Sequence, residues 1–131
     1  MLGRGITNAQ QLTDYCRELF GLRYHGTYAS DRLPTLTKER PYAIVNNKTV
    51  ASGGEHWVGI VLSEDGAYIA FDSYGRDIKS LIPSLYKHTG GYIRETDNDV
   101  DETAEQQDCG SRCAAWLRLF DEYGEDVAMM I

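Results

Sequence analysis

The feature that most constrains this chain is a pair of apolar runs separated by a short turn sequence. The runs Trp57–Leu62 and Ala67–Phe71 have the aliphatic and aromatic composition of buried strands. Between them, Glu64 to Gly66 is typical of a hairpin turn, because glycine accepts the left-handed backbone that such turns need. The sequence therefore predicts two paired strands, with His56 and Asp72 at strand ends.

Three other segments have the apolar spacing of helices. The first is capped by Thr7 or Asn8 and runs to about Phe20, and a shorter one covers Ile78 to Tyr86. The third begins at Cys109 and is the strongest. Its apolar residues share one face: Cys113, Trp116, Leu117 and Phe120.

The remaining patterns complete an α+β layout. Tyr42–Asn46 and Gly91–Glu95 predict strands, whereas residues 26–40 contain a proline and no clear period and are expected to be loop. A chain of 131 residues has room for one modest core, so we expect a single domain over 1–131. The expected fold is a small, mostly antiparallel sheet flanked by helices, with Cys109 at a helix N-terminus.

Composition narrows the classes of function. The net charge of -7 argues against tight nucleic-acid binding, because phosphate contacts need clustered Lys and Arg. The longest apolar runs are too short to span a bilayer, and no apolar signal segment follows Met1. Three cysteines are too few for a disulfide framework, so we expect free thiols in a reducing compartment rather than a secreted protein.

His56, Asp72 and Cys109 together supply what a thiol nucleophile requires. An imidazole can take the thiol proton, a carboxylate can orient the imidazole, and an amide donor can stabilise an oxyanion. The helix N-terminus at Cys109 favours a thiolate, and Gly110 leaves room for a substrate backbone.

Each of these residues also has a structural interpretation. A cysteine before a glycine at a helix start is usually a packing residue, and Asp72-Ser-x-Gly suits a turn. Cys113 is expected in the core, with redox control of Cys109 as the alternative. The spacing of these two cysteines and the distant histidines is not that of zinc ligands, so no metal is expected.

A series of short motifs follows in a recognisable order. They are Gly26-Thr27-Tyr28, Arg32-Leu33-Pro34, Ala43-Ile44-Val45-Asn46, Gly53-Gly54-Glu55-His56-Trp57, Phe71-Asp72-Ser73-Tyr74-Gly75 and Cys109-Gly110-x-x-Cys113. Together they resemble the adenain family of cysteine peptidases, over roughly Tyr24 to Phe120. Adenain-like proteases occur in adenoviruses, virophages, polinton-like elements and other double-stranded DNA viruses, and a chain this short is more similar to the relatives outside the adenoviruses.

The resemblance implies an activity and a setting. It implies a cysteine endopeptidase that cuts capsid or core precursor proteins at Gly-containing sites during virion maturation. Such enzymes prefer a large aliphatic residue, any residue, glycine and any residue before the cut, and glycine after it. The expected location is the virion and the cytoplasm or nucleus of the infected cell.

The resemblance also implies residue roles. His56 matches the family's general base, Asp72 its orienting carboxylate and Cys109 its nucleophile. The family's oxyanion-hole glutamine lies further upstream, where this chain has Thr103. Gln106 is therefore favoured, with Gln107 and backbone N–H groups as alternatives. The expected substrate-binding residues are Gly54, Glu55, Trp57, Gln107 and Gly110.

The partners of the adenovirus enzyme are not all expected for this chain. The adenovirus enzyme uses DNA and a disulfide-linked peptide, but this chain is acidic and Cys16 fits a buried helix face. We therefore expect precursor proteins as substrates, and we expect neither a cofactor nor a DNA partner. Whether a peptide activates the enzyme is left open.

The alternative function is a deubiquitinase-like or deSUMOylase-like isopeptidase acting on Gly-Gly tails, which uses the same catalytic set.

Overall fold

The computed structural model of the chain describes residues 8–48, 56–73, 75–96 and 109–130. Within these ranges, five strands form one sheet in sequence order: β1 Tyr24–Tyr28, β2 Tyr42–Asn46, β3 Trp57–Leu62, β4 Tyr68–Phe71 and β5 Ile93–Glu95. The same ranges contain five α-helices: α1 Ala9–Phe20, α2 Ile78–Leu81, α3 Pro83–His88, α4 Cys109–Tyr123 and α5 Glu125–Met129. The architecture is α+β, as predicted.

The sheet is mixed rather than mostly antiparallel. The central strands β2, β3 and β4 pair antiparallel, and the predicted hairpin of β3 and β4 is present. Both outer pairs, β1 with β2 and β4 with β5, are parallel. Parallel neighbours need a connection that returns the chain to the same end of the sheet. Residues 29–41 make that return after β1, and the segment containing α2 and α3 makes it after β4.

Two local predictions need correction, and one helix was not predicted. Residues 26–28 were expected to be loop but belong to β1, which lies at an edge of the sheet and, among the described strands, pairs only with β2. The helix predicted over 78–86 is broken at Ile82, because Pro83 has no N–H to donate and disfavours a helical residue before it. Helix α5 was not predicted, because its five residues are too few to show a clear helical pattern in the sequence.

The prediction for α1 is confirmed by its cap. Asn8 is the N-cap, and its side-chain oxygen accepts a hydrogen bond from the Gln11 N–H at 2.8 Å. The Gln11 side chain accepts from the Asn8 N–H in return, which completes a capping box. Gly21, with φ at 61°, ends the helix in a backbone conformation that other residues rarely adopt.

Helices cover both faces of the sheet. One core contains residues of α1, α4 and α5, and the other contains residues of α2 and α3. Ile44 enters the first core while its neighbours Ala43 and Val45 enter the second, which explains why β2 is a continuous apolar run. No helix in the described ranges has the length and apolar character needed to cross a membrane.

Helix α4 is held against the sheet along its length. Near its middle, the Trp116 ring stacks on Phe71 at the end of β4, with ring centroids 5.3 Å apart. Near its end, Asp121 accepts a hydrogen bond from the Tyr42 hydroxyl at 2.8 Å and pairs with Arg23. The Arg23 guanidinium, helped by that hydroxyl, lowers the pKa of Asp121 below its ordinary value.

The Asp121 cluster predicts a measurable loss of stability. Asp121→Ala leaves the buried Tyr42 hydroxyl and Arg23 without their acceptor, so we expect a loss of about 1–2 kcal/mol in the free energy of unfolding, measured with urea. Arg118→Ala removes an exposed i,i+4 pair with Glu122 and should change stability by roughly 0.5 kcal/mol or less. Equal losses of stability in the two variants would contradict the stabilising role of the Asp121 contacts.

Candidate active site

The β3–β4 hairpin brings His56 and Asp72 together. His56 directly precedes β3 and Asp72 directly follows β4, so antiparallel pairing puts them at the same end of the sheet. His56 Nε2 is hydrogen bonded to Asp72 Oδ1. Both residues are almost fully buried, with 1% and 3% of their surfaces exposed. Two buried polar side chains are thus satisfied largely by each other, as buried polar groups require.

The backbone of His56 is held by Asn47, which lies just after β2. Asn47 N–H donates to the His56 carbonyl at 3.0 Å, and the Asn47 side-chain oxygen accepts from the His56 N–H at 3.2 Å. These bonds continue the β2–β3 pairing by one residue and fix the position of the His56 backbone, from which the imidazole extends. No sequence pattern points to Asn47, since its role depends on the strand register.

Asp72 is both a turn residue and a partner of the histidine. Its Oδ1 meets His56, while its Oδ2 accepts from the Arg76 backbone N–H at 2.8 Å and from Arg76 Nε at 3.2 Å. The turn is closed by a bond from the Gly75 N–H to the Asp72 carbonyl at 2.9 Å. Gly75 has φ of 68°, so glycine is needed there. The two interpretations of Asp72 are therefore compatible.

Cys109 is the first residue of α4 and lies against the start of β3. The Trp57 N–H donates to Cys109 Sγ at 3.4 Å. One turn later, the Cys113 thiol donates to the Trp57 carbonyl at 3.3 Å. The two sulfur atoms thus contact both polar groups of one strand residue, and this sets the height of α4 over the sheet. Cys113 is fully buried, as its structural interpretation predicts.

The protonation equilibria of the pair are shifted in opposite directions. Burial acts to lower the pKa of His56, but hydrogen bonds to Asp72 and Cys109 outweigh it and raise the pKa above its ordinary value. Burial acts to raise the pKa of Asp72, but the bonds from His56 and Arg76 outweigh it and lower that pKa. Both shifts favour a protonated imidazole beside an ionised carboxylate.

The geometry defines what this arrangement can do chemically. Because Asp72 holds Nε2, the other ring nitrogen, Nδ1, is the one that can serve the Cys109 thiol. Cys109 has 2% of its surface exposed, so a substrate carbonyl reaches the sulfur only after neighbouring atoms move aside. The arrangement can move a proton between sulfur and imidazole, and it can stabilise the imidazolium that results.

Gly110 has a packing explanation. A Cβ at this position would lie 3.0 Å from Leu12 Cδ2 and 3.3 Å from Trp57 Cδ1. The absence of a side chain therefore lets α1 and β3 approach the first turn of α4. The Trp57 indole is buried in the same core. Contact of Gly110 or Trp57 with a substrate remains a prediction.

The predicted site residues Gly54, Glu55, Gln106 and Gln107, together with Tyr74 of the motif series, are outside the described residues. Of the remaining histidines, His88 is hydrogen bonded to the Pro34 carbonyl and His25 to the Tyr28 hydroxyl, which are structural contacts. Cys16 is fully buried, as predicted, and burial raises the pKa of its thiol to about 12. Within the described ranges, no three His, Cys, Asp or Glu side chains are grouped to hold a metal ion.

The packing of Gly110 can be tested with a double-mutant cycle. Gly110→Ala should destabilise the fold, because overpacking costs about 1–3 kcal/mol and exceeds the roughly 1 kcal/mol gained from helix propensity. In Leu12→Ala the new methyl group has space, so the same change should cost less or become favourable. Urea denaturation of the four proteins measures the coupling. Strict additivity would show that Leu12 does not set the constraint.

The shifted pKa of Asp72 predicts a pH-dependent stability. A carboxyl whose pKa is depressed on folding stabilises the native state above its ordinary pKa of 3.8, and this contribution is lost as pH falls through the folded value. The difference in unfolding free energy between wild type and Asp72→Asn should therefore shrink below about pH 4. Urea titrations of both proteins across this range test it. A pH-independent difference for Asp72→Asn would contradict the shift.

Comparisons with known proteins do not place the chain in a family. It matches no protein-family model, and no curated protein sequence is significantly similar to it. A function can therefore be inferred only from the geometry of His56, Asp72 and Cys109 and from the resemblance of the short motifs.

Proposed function

We propose that the chain is an adenain-like cysteine endopeptidase that cuts viral capsid or core precursor proteins at Gly-containing sites. The observation that carries this proposal is the buried His56, whose Nε2 is hydrogen bonded to Asp72 and whose pKa is raised by Asp72 and by the Cys109 thiol. A histidine with only a packing role in the core needs one hydrogen-bond partner. Here the histidine is near both a carboxylate and a thiol, and the thiol belongs to the first residue of a long helix. These are the neighbours of a histidine that transfers protons in thiol catalysis.

In this mechanism His56 first takes the proton of Cys109. Its raised pKa favours the protonated imidazole, and Asp72 stabilises the charge that results. The Trp57 N–H and the first turn of α4 place donors and partial positive charge near the sulfur, which stabilise a thiolate. The thiolate then attacks the carbonyl carbon of the scissile peptide bond.

The rest of the cycle uses the same groups. The oxyanion is stabilised by the Cys109 N–H and by a glutamine, for which we propose Gln106 ahead of Gln107. The C–N bond breaks as His56 gives its proton to the leaving amine, and a thioester remains on Cys109. Water attacks the thioester with His56 as the base, releasing the carboxylate product and the free thiol.

Peptide cleavage is the direct test. The substrate is a peptide with a large aliphatic residue, a spacer, glycine, a spacer and glycine, and cleavage is read by mass spectrometry. Cys109→Ala should abolish turnover, and His56→Ala should lower kcat/KM by roughly 10²- to 10⁴-fold. The control is His25→Ala, whose ring is hydrogen bonded to the Tyr28 hydroxyl and which should retain activity.

The same experiment separates the competing function. An isopeptide substrate with a Gly-Gly tail on a lysine side chain is offered beside the linear peptide. Preference for the isopeptide would replace the endopeptidase proposal with a deconjugating enzyme. Cleavage of neither substrate, together with a Cys109 thiol whose alkylation rate is unaffected by His56→Ala, would refute a thiol hydrolase.

A further inference from the structure

Arg76 makes two hydrogen bonds to the carboxylate that supports the histidine. Both go to Asp72 Oδ2, one from the backbone N–H at 2.8 Å and one from Nε at 3.2 Å. The carboxylate oxygens therefore have separate partners, with Oδ1 committed to His56. The Arg76 side chain is 43% exposed while that of Asp72 is 2% exposed, so the guanidinium links a buried charge to the surface.

These contacts restrict how the carboxylate can rotate. The final torsion of an aspartate is soft, and a carboxylate held by one bond alone turns over a broad range. Two donors on Oδ2 restrict rotation of the carboxylate and so keep Oδ1 directed at Nε2. A charge-assisted bond is stronger than a neutral one, so the guanidinium adds to what the backbone N–H provides.

We propose that Arg76 is a positioning residue, which orients Asp72 and thereby holds His56 in the geometry that activates Cys109. This inference builds on the proposed thiol hydrolase and extends the site by one residue. Arg76 acts on the imidazole through Asp72, because it bonds to Oδ2 while His56 meets Oδ1.

The charges around Asp72 give the expected pH response. Among the described residues, three titratable or charged groups from three different elements act on it: His56 from the start of β3, Arg76 from its own turn and Cys113 from α4. Arg76 contributes to the lowered pKa of Asp72 through both of its bonds. Loss of the guanidinium should therefore raise that pKa and move the acid limb of Cys109 reactivity to higher pH.

Two substitutions separate geometry from charge. Arg76→Gln removes the cation and Nε but leaves the backbone N–H, and Arg76→Lys keeps the cation but loses Nε. The readout is the rate of Cys109 alkylation by iodoacetamide against pH, followed by peptide mass. Both variants should react about tenfold more slowly at the optimum, the equivalent of one modest hydrogen bond. Only Arg76→Gln should also shift the acid limb upward, by about half a pH unit.

Chemical rescue provides a readout that a purely structural role would not change. The exposed half of the Arg76 site is open to a solute, so ethylguanidinium should restore part of the lost rate in Arg76→Ala. The matched control is Arg118→Ala, which removes a comparably exposed arginine from an i,i+4 pair far from the site. Its rate and pH profile should equal those of wild type, with or without ethylguanidinium.

The outcomes distinguish this inference from the proposed function. Wild-type alkylation that depends on His56, combined with Arg76 variants of unchanged rate and profile, would overturn the role of Arg76 and leave the thiol hydrolase standing. Alkylation that depends on both His56 and Arg76, without peptide cleavage, would support the positioning role and count against the endopeptidase. Alkylation independent of His56 would overturn both.

Discussion

The buried carboxylate of Asp72 is the group on which the rest of the site depends. A carboxylate removed from water is costly unless its oxygens are hydrogen bonded and its charge is balanced. Here one oxygen is satisfied by His56 and the other by Arg76. The hairpin must pair in register, the turn must close through Gly75, and the imidazole must be in place for this to hold. The fold and the site are therefore specified together.

Helix α4 connects this pair to the nucleophile through a single packed face. Cys109 and Cys113 bond to Trp57 at the start of β3, and Trp116 stacks on Phe71, the residue before Asp72. The same face that buries apolar area thus sets the distance from sulfur to imidazole. Because interiors are close-packed, a small shift of α4 changes that distance. The close approach at Gly110 shows how little freedom this interface has.

Local sequence patterns were sufficient to predict those elements that are determined by interactions between residues close in the chain. The β3–β4 hairpin, the cap at Asn8 and the apolar face of α4 each depend on residues close in the chain, and the structure contains all three. Local patterns were insufficient to predict elements whose conformation depends on pairing between distant segments. β1 is short and lies at an edge, so its strand conformation comes from pairing with β2. The parallel direction of both outer strands follows from how the connections cross the sheet.

Some features of the candidate site were likewise determined by the sequence alone, and others only by the tertiary structure. The sequence alone determined the chemical types of His56, Asp72 and Cys109, their order, and their positions next to predicted strands and a helix. Tertiary structure decided which nitrogen faces the carboxylate, that Asn47 fixes the histidine backbone, and that Arg76 completes the shell of Asp72. The physical reason is range: a strand or a cap is encoded within a few residues, whereas the partners of a buried charge are chosen by packing between distant segments.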